Sequence, residues 1–354
     1  MIQHNQRAAA GGWAAAQTAV MTLGLGAGSP AAAGDPNPLS LNPAQLAAGV
    51  DVPTNLMLAQ ASEPTEPVAE RTEIETVQDT EEPALPISLG LSYALYTDYI
   101  FRGVNFSEYD GEAREKLNHQ LTVSLAWDMG DYGTIGFDTW FEWFAGQKKI
   151  DPDRGGQNLQ EVDYTIWWSY SIEPIATDLT LGYTFFQFPN LAHTLRQDGA
   201  RGNNNDDRTH EYWFSLEHND AWMWKPLFPD NEEGILNPSF FFAHDVGAIP
   251  GAWMEFGLSH GFAVPGVDNL TITPAWTLCV DGDYWTRGFK LAGDQWSLAA
   301  EYDLTPVLQL PDWAGSISIT GELYFFNAFG NMEDSHTIQD EFWGGLTVNW
   351  AWGG

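Results

Sequence analysis

The sequence predicts an all-β fold, a transmembrane antiparallel up-and-down β-barrel of about 12 strands. The first observation behind this is residues 89–108, LGLSYALYTDYIFRGVNFSE. Side chains of an extended chain alternate between faces, so Leu89, Leu91, Tyr93, Leu95, Tyr99 and Phe101 point one way. Gly90, Ser92, Ala94, Asp98 and Arg102 point the other. The second observation is recurrence. The same alternation returns roughly a dozen times in segments of about 10 residues, the length of a tilted strand that crosses a bilayer. The third is hydropathy: the mean is -0.25 and no run is long and apolar enough for a helical span, as expected where half of each strand faces a wet interior.

Each element follows from the same reasoning. A second strand spans 117–127, with Leu117, His119, Leu121, Val123, Leu125 and Trp127 on its apolar face. A tight Gly-containing turn at Asp131-Tyr132-Gly133 leads to a third strand, 134–144, whose wetter face carries Gly136, Asp138, Trp140 and Glu142. A long polar loop at 146–160, with Lys148, Lys149, Asp151, Asp153 and Arg154, precedes strands at 161–170 and 179–188, which are joined by a short turn at 173–178. The longest polar loop, 190–209, leads to a strand at 210–218. Long and short connections thus alternate, as they do when one end of a barrel faces the periplasm. Residues 219–234 break this pattern, and Trp222, Trp224 and Phe228 mark them as a folded plug or an interfacial foot. Further strands are expected at 236–248, 252–264, 270–281, 295–305, 316–327 and 338–352. Aromatics near strand ends, such as Tyr99, Phe101, Trp127, Tyr170, Trp350 and Trp352, suit the headgroup zone of a membrane.

Two of these stretches carry a family likeness. YTDYIFRGVNFSE, residues 96–108, resembles the opening motif of the TorF-type porins, in which an aromatic, a serine or threonine, Asp, Tyr, an apolar residue, Phe, Arg and Gly follow in order. LTLGYTFFQFPN, residues 179–190, is similar to that family's strand ending in an aromatic and a proline. The resemblance covers two patches of the region from about residue 85 onward, and it implies a porin-like outer-membrane barrel.

Residues 1–33 read as a secretory signal peptide, with Arg7 in a short polar start, an Ala/Gly-rich middle and Ala31-Ala32-Ala33 as a small-residue cleavage site. A second candidate cleavage site lies near Ala61, after Leu56-Met57-Leu58-Ala59-Gln60. Residues 34–85 read as a disordered Pro-rich acidic linker, because 62–85 holds eight acids and only Arg71 as a base. Residues 86–354 form the barrel, which this order places in the outer membrane of a Gram-negative envelope with lipid as its surroundings. Against 48 Asp plus Glu there are 14 Lys plus Arg, a formal charge of -34, which excludes nucleic acid as the main partner and favours cations.

Taken together, the polar faces send Asp98, Asp138, Glu142, Glu161, Asp163, Glu211, Glu217, Glu255, Glu301, Glu322 and Glu341 into the interior, with Arg102 as the main base. Trp140, Trp167, Trp213, Trp253, Phe241 and Trp343 share that face, so the expected lumen is a narrow, acidic, pore-lining surface that admits small solutes and prefers cations. For Arg102 the simplest role is an ion pair with Asp98 or an acid on a neighbouring strand, and the other is solute selection. Glu161 and Asp163 lack a calcium-loop spacing. The single Cys279 makes neither a disulfide framework nor a thiolate metal site. Ser259 and His260 are adjacent and so face opposite ways, which prevents a nucleophile and base pair. No cofactor motif and no catalytic constellation is legible. Other readings of the pattern are a barrel with a structural or carbohydrate-binding role, a barrel enzyme such as a lipase or acyltransferase, and a secreted carbohydrate-binding β-sandwich.

Overall fold

The computed structural model describes residues 86–106, 117–144, 159–189, 208–229, 234–330, 332 and 338–353. The segments read as signal peptide and linker, and most of the loops expected at 146–160 and 190–209, lie outside these residues. The described strands are β1 (Ile87–Tyr96), β2 (Ile100–Phe101), β3 (Val104–Asn105), β4 (Asn118–Asp128), β5 (Thr134–Phe144), β6 (Leu159–Ile172), β7 (Thr177–Gln187), β8 (Arg208–His218), β9 (Ser239–Asp245), β10 (Gly251–Ser259), β11 (Phe262–Ala263), β12 (Leu270–Gly282), β13 (Phe289–Asp303), β14 (Ser316–Ala328) and β15 (Glu341–Gly353). Two four-residue helices, α1 (Ala221–Trp224) and α2 (Thr305–Leu308), lie in connections.

Twelve of these strands form the wall of one antiparallel sheet in chain order, to which the two-residue β11 is added by pairing with β12, while β2 and β3 pair apart from it. First and last strands meet, Leu89 opposite Trp352 and Leu95 opposite Leu346, and β10 pairs directly with β12. The sheet is therefore a closed up-and-down barrel and not a two-sheet sandwich. Closure satisfies the backbone amides of every wall strand, which is what a lipid environment requires.

Faces follow the period of two. On β1, Ile87, Leu89 and Leu91 are exposed while Ser88, Gly90, Ser92, Ala94 and Tyr96 are buried. On β4, Val123, Leu125 and Trp127 are 43%, 47% and 55% exposed, and Thr122, Ser124 and Ala126 between them are buried. The apolar side chains point outward and the polar ones inward, the inverse of a water-soluble fold. That inversion defines the class: an integral-membrane β-barrel.

One row of the interior shows how the lumen fills. Register places Gly136 beside Trp167, Trp167 beside Gly182, Gly182 beside Trp213, Trp213 beside Ala243 and Ala243 beside Trp253. Large and small residues alternate around the wall, and each indole lies over its neighbour's missing side chain. A Cβ on Gly136 would come within 2.1 Å of the Trp167 ring, and one on Gly182 within 2.1 Å of the Trp213 ring. Glycine is needed here for close approach, since any larger residue would push an indole out of its place.

The structure corrects several boundaries. The first strand stops at Tyr96 and does not run to 108, so Tyr99 and Phe101 leave the expected lipid face and are buried inside the barrel. The strand expected at 236–248 is the seven-residue β9, and that at 252–264 divides into β10 and the two-residue β11. Conversely β13 begins at Phe289, six residues before the expected 295, and its ladder with β12 continues past a register shift between Cys279 and Val280 to Gly282 opposite Phe289. Alternation of long and short connections holds only for the first half. Around β9 to β13, the connections at the end where the termini lie, 219–238, 260–269 and 304–315, are longer than 246–250 and 283–288 at the other end.

The described part of this connection, 219–229 and 234–238, is a foot and not a plug. Asp220 organises it: Oδ1 accepts from the amides of Ile235 at 2.7 Å, Leu236 at 3.2 Å and Asn237 at 3.3 Å, and Oδ2 accepts from the Trp224 indole at 2.7 Å. Trp222, Met223, Leu227 and Phe228 are exposed on it. At about 3.3 Å per residue a tilted seven-residue strand is too short for the hydrocarbon layer, and the foot supplies apolar surface beneath that thin wall.

Two outcomes follow. Val123 is central in β4, opposite Leu91 and Thr139, so Val123→Arg is expected to cost about 2–4 kcal/mol in lipid, whereas Val123→Leu stays near wild type. Urea unfolding in liposomes reads the difference, and an unchanged midpoint for the arginine variant would show that this face is not in lipid. The second concerns the foot. Burial raises the Asp220 carboxyl, but hydrogen bonds from Trp224, Ile235, Asn237 and Leu236 outweigh it, so its pKa lies below the usual value. A depressed acid stabilises above its unfolded pKa of about 3.9 and loses that contribution as pH falls through the folded value. Amide protection at 235–237, relative to intrinsic exchange, should therefore fall below about pH 4, and in Asp220→Ala it should be low at every pH, with the foot loosened by about 2 kcal/mol at neutral pH.

Candidate functional site

The chain leaves the wall after β1 and turns into the lumen. Thr97 and Asp98 form the bend, Tyr99 enters, and β2 and β3 make a hairpin with Ile100 opposite Asn105 and Phe101 opposite Val104. The tip is Arg102 and Gly103, at φ 49° and 76°. Arginine in this left-handed region is strained by an order of 1–3 kcal/mol, and glycine is required beside it because Phe326 and Ile338 press on the backbone.

Contacts from four wall strands hold the hairpin. The Tyr99 hydroxyl donates to Glu161 Oε2 at 3.1 Å, its ring lies 5.7 Å from that of Trp140, and Asn105 Nδ2 donates to Glu341 Oε2 at 3.1 Å. At the tip the Arg102 guanidinium forks onto Glu211 of β8, Nη1 to Oε2 at 2.9 Å and Nη2 to Oε1 at 3.1 Å. Aromatic rings surround its Cζ: Phe101 and Tyr284 at 4.5 Å, Trp253 at 5.8 Å and Phe241 at 5.9 Å. Tyr284 reaches in from the connection after β12 because the Asp281 carboxylate gathers the amides of Tyr284, Trp285 and Thr286 at 2.6, 3.1 and 2.9 Å.

Ten of the eleven carboxylates expected inside do face inward. Asp138, Glu142, Glu161, Asp163, Glu211, Glu255 and Glu322 are buried, and Glu217, Glu301 and Glu341 are half-buried. Asp98 is the exception: it sits half-exposed in the bend after β1, because the strand ends before reaching it. It is not the partner of Arg102, and neither is an acid of β4 or β15; the partner lies across the lumen on β8. Trp140, Trp167, Trp213, Trp253, Phe241 and Trp343 are inside as expected.

Most of these carboxylates accept from uncharged donors. Asp138 takes the Trp167 indole at 2.8 Å, Glu142 takes Asn118, Glu255 takes the Trp253 indole at 2.6 Å, and Glu322 takes the hydroxyls of Tyr324 at 2.9 Å and Thr347 at 3.0 Å. Aromatic and polar side chains therefore fill the described lumen, and the residues expected to line open water are packed. A small pocket lies on the inner face of β8, β9, β10 and β12, lined by Ser215, Glu217, Ser239, Phe241, Glu255 and Thr277.

Tyr96, Tyr99, Asp245, Asp281 and Tyr284 belong to this interior and were not expected there. For Asp245 and Asp281 a signal existed, since both fall on the inward period of their strands. Tyr284 sits in a connection, where no periodicity assigns a direction.

No family model matches the chain, and no curated protein matches it. Among solved structures it is similar to the NanC porin, at 10% identity over 74% of this chain and 98% of that one, with a TM-score of 0.41. It is also similar to an outer membrane channel from Pseudomonas putida F1, at 10% identity over 79% and 100% with a TM-score of 0.38. A third is outer membrane phospholipase A from Escherichia coli, at 10% over 74% and 92% with a TM-score of 0.35.

The ion pair yields a testable asymmetry. Arg102→Met strands a buried carboxylate on Glu211 and is expected to destabilise the folded barrel by about 3–5 kcal/mol, while Arg102→Met combined with Glu211→Leu recovers most of the loss. A double-mutant cycle in liposome-refolded protein checks this, and additive losses would refute the pairing.

Proposed function

We propose that this protein is a porin-like outer-membrane channel that lets small solutes, chiefly cations, diffuse through its lumen and catalyses no reaction. One observation carries the reading: the ten inward carboxylates expected from the sequence, joined by Asp245 and Asp281, surround a lumen in which, among the described residues, Arg102 is the sole buried base. Carboxylates in a narrow passage act at separations shorter than the screening length of about 8 Å at physiological salt, so they bias which ions enter. The inverted polarity of the barrel supports a bilayer setting, and the likeness of residues 96–108 to the TorF-type motif supports a porin-like family. The described conformation is the closed one, since the hairpin and its aromatic neighbours occupy the lumen.

Planar-bilayer recording tests this. In a salt gradient the reversal potential is expected to carry the sign of a cation-preferring pore, and Glu217→Gln, at the mouth of the pocket, is expected to move it towards zero. A reversal potential of anionic sign would overturn the cation reading.

A further inference from the structure

Arg102 occupies its place as a ligand occupies a site. Its side chain is ringed by Phe101, Tyr284, Trp253 and Phe241, and its planar fork meets the two oxygens of Glu211. Apart from Phe101, everything that touches the guanidinium comes from wall strands or the connection after β12, so the recess belongs to the barrel and the cation to the inserted hairpin. Rings around a cation together with a bidentate carboxylate make a recognition set for guanidinium, since an ammonium has no fork to match.

Two further observations point to a ligand. Glu255, 4% exposed on β10, donates nothing and gives only Oε1 to the Trp253 indole; Oε2 has no hydrogen-bond partner among the described residues. In addition, Phe241, one of the rings around the guanidinium, also lines a small pocket with Glu255, Ser215, Ser239 and Thr277, which reaches Glu217 near the terminal end of the wall. The recess therefore opens onto acids at Glu211, Glu255 and Glu217, spaced down one side of the lumen.

We propose that this recess is a binding site for a guanidinium-bearing organic cation, in which Arg102 is the chain's own resident ligand and is displaced by an entering solute. The proposal rests on the channel reading above and names its substrate class. A tethered competitor acts at an effective concentration of about millimolar, so a solute binds with an apparent affinity reduced by that competition. Weak binding is what passage needs, because a solute held tightly would not leave. The hairpin is suited to retreat: its ladder is two residue pairs long and its tip holds Arg102 in a strained backbone conformation.

The test is influx into proteoliposomes that carry the full chain, with methylguanidinium, its neutral near-isostere N-methylurea, and tetramethylammonium as probes. Methylguanidinium is expected to enter wild type at least about tenfold faster than N-methylurea and to saturate near millimolar concentration. With Arg102→Ala the resident competitor is gone, and half-saturation should fall by about tenfold. Heat-modifiable migration on gels verifies that the variant is folded; should it not fold, Arg102→Lys keeps the charge but not the planar fork, and as a weaker resident competitor it is expected to lower half-saturation by about threefold. Equal influx of methylguanidinium and N-methylurea, preference for tetramethylammonium, or an unchanged half-saturation in the folded variant overturns the proposal while leaving a channel in place. Absence of ionic conductance in bilayers from both wild type and Arg102→Ala overturns the channel reading and this proposal with it.

Discussion

Closure of the backbone ladder in lipid is the constraint on which the rest of this structure depends. In hydrocarbon an unpaired amide or carbonyl costs several kcal/mol, so the pairing of β1 with β15 and of β10 with β12 is not optional. Closure with twelve strands then sets the width of the lumen, too wide for aliphatic side chains alone and too narrow for a broad water column. Large rings fill that width. Trp167 over Gly136 and Trp213 over Gly182 are the consequence, each ring taking space that its neighbour gives up.

Polarity inside follows from apolarity outside. Lipid claims Leu89, Leu91, Val123 and Leu125, and a period of two sends the intervening serines, threonines and acids inward. Buried carboxylates need donors, and the same aromatics that fill the lumen carry them: the indoles of Trp167 and Trp253 and the hydroxyls of Tyr99 and Tyr324. Packing and polar satisfaction are thus served by one set of residues. Exchanging any one of these rings for an aliphatic side chain would open a void and remove a donor from a buried acid together.

A single base among so many acids gives the hairpin its importance. Arg102 is held by charge, by planarity and by rings, from a segment that contributes nothing to the barrel wall. Strong local contacts on a short insert produce an element that is well placed yet separable, since the wall keeps its own ladder without it.

Within the wall strands the sequence by itself determined which residues face lipid, which face inward and about how many strands cross, because side-chain direction in a strand is a local property repeated at every second residue. The inward placement of Asp138, Glu142, Glu255 and Glu322 was legible on that ground alone. Legibility ended where the strand did. Alternation continues through Tyr99 and Phe101 on paper, but the chain bends at Thr97, and what bends it is the interior packing of Tyr99 against Trp140 and of Gly103 against Phe326. Only the tertiary structure decided that Arg102 pairs with Glu211, 109 residues away, and that Tyr284 turns in beside it. Contacts across a barrel join strands that share no ladder, and neither spacing nor periodicity in the chain encodes the distance between them.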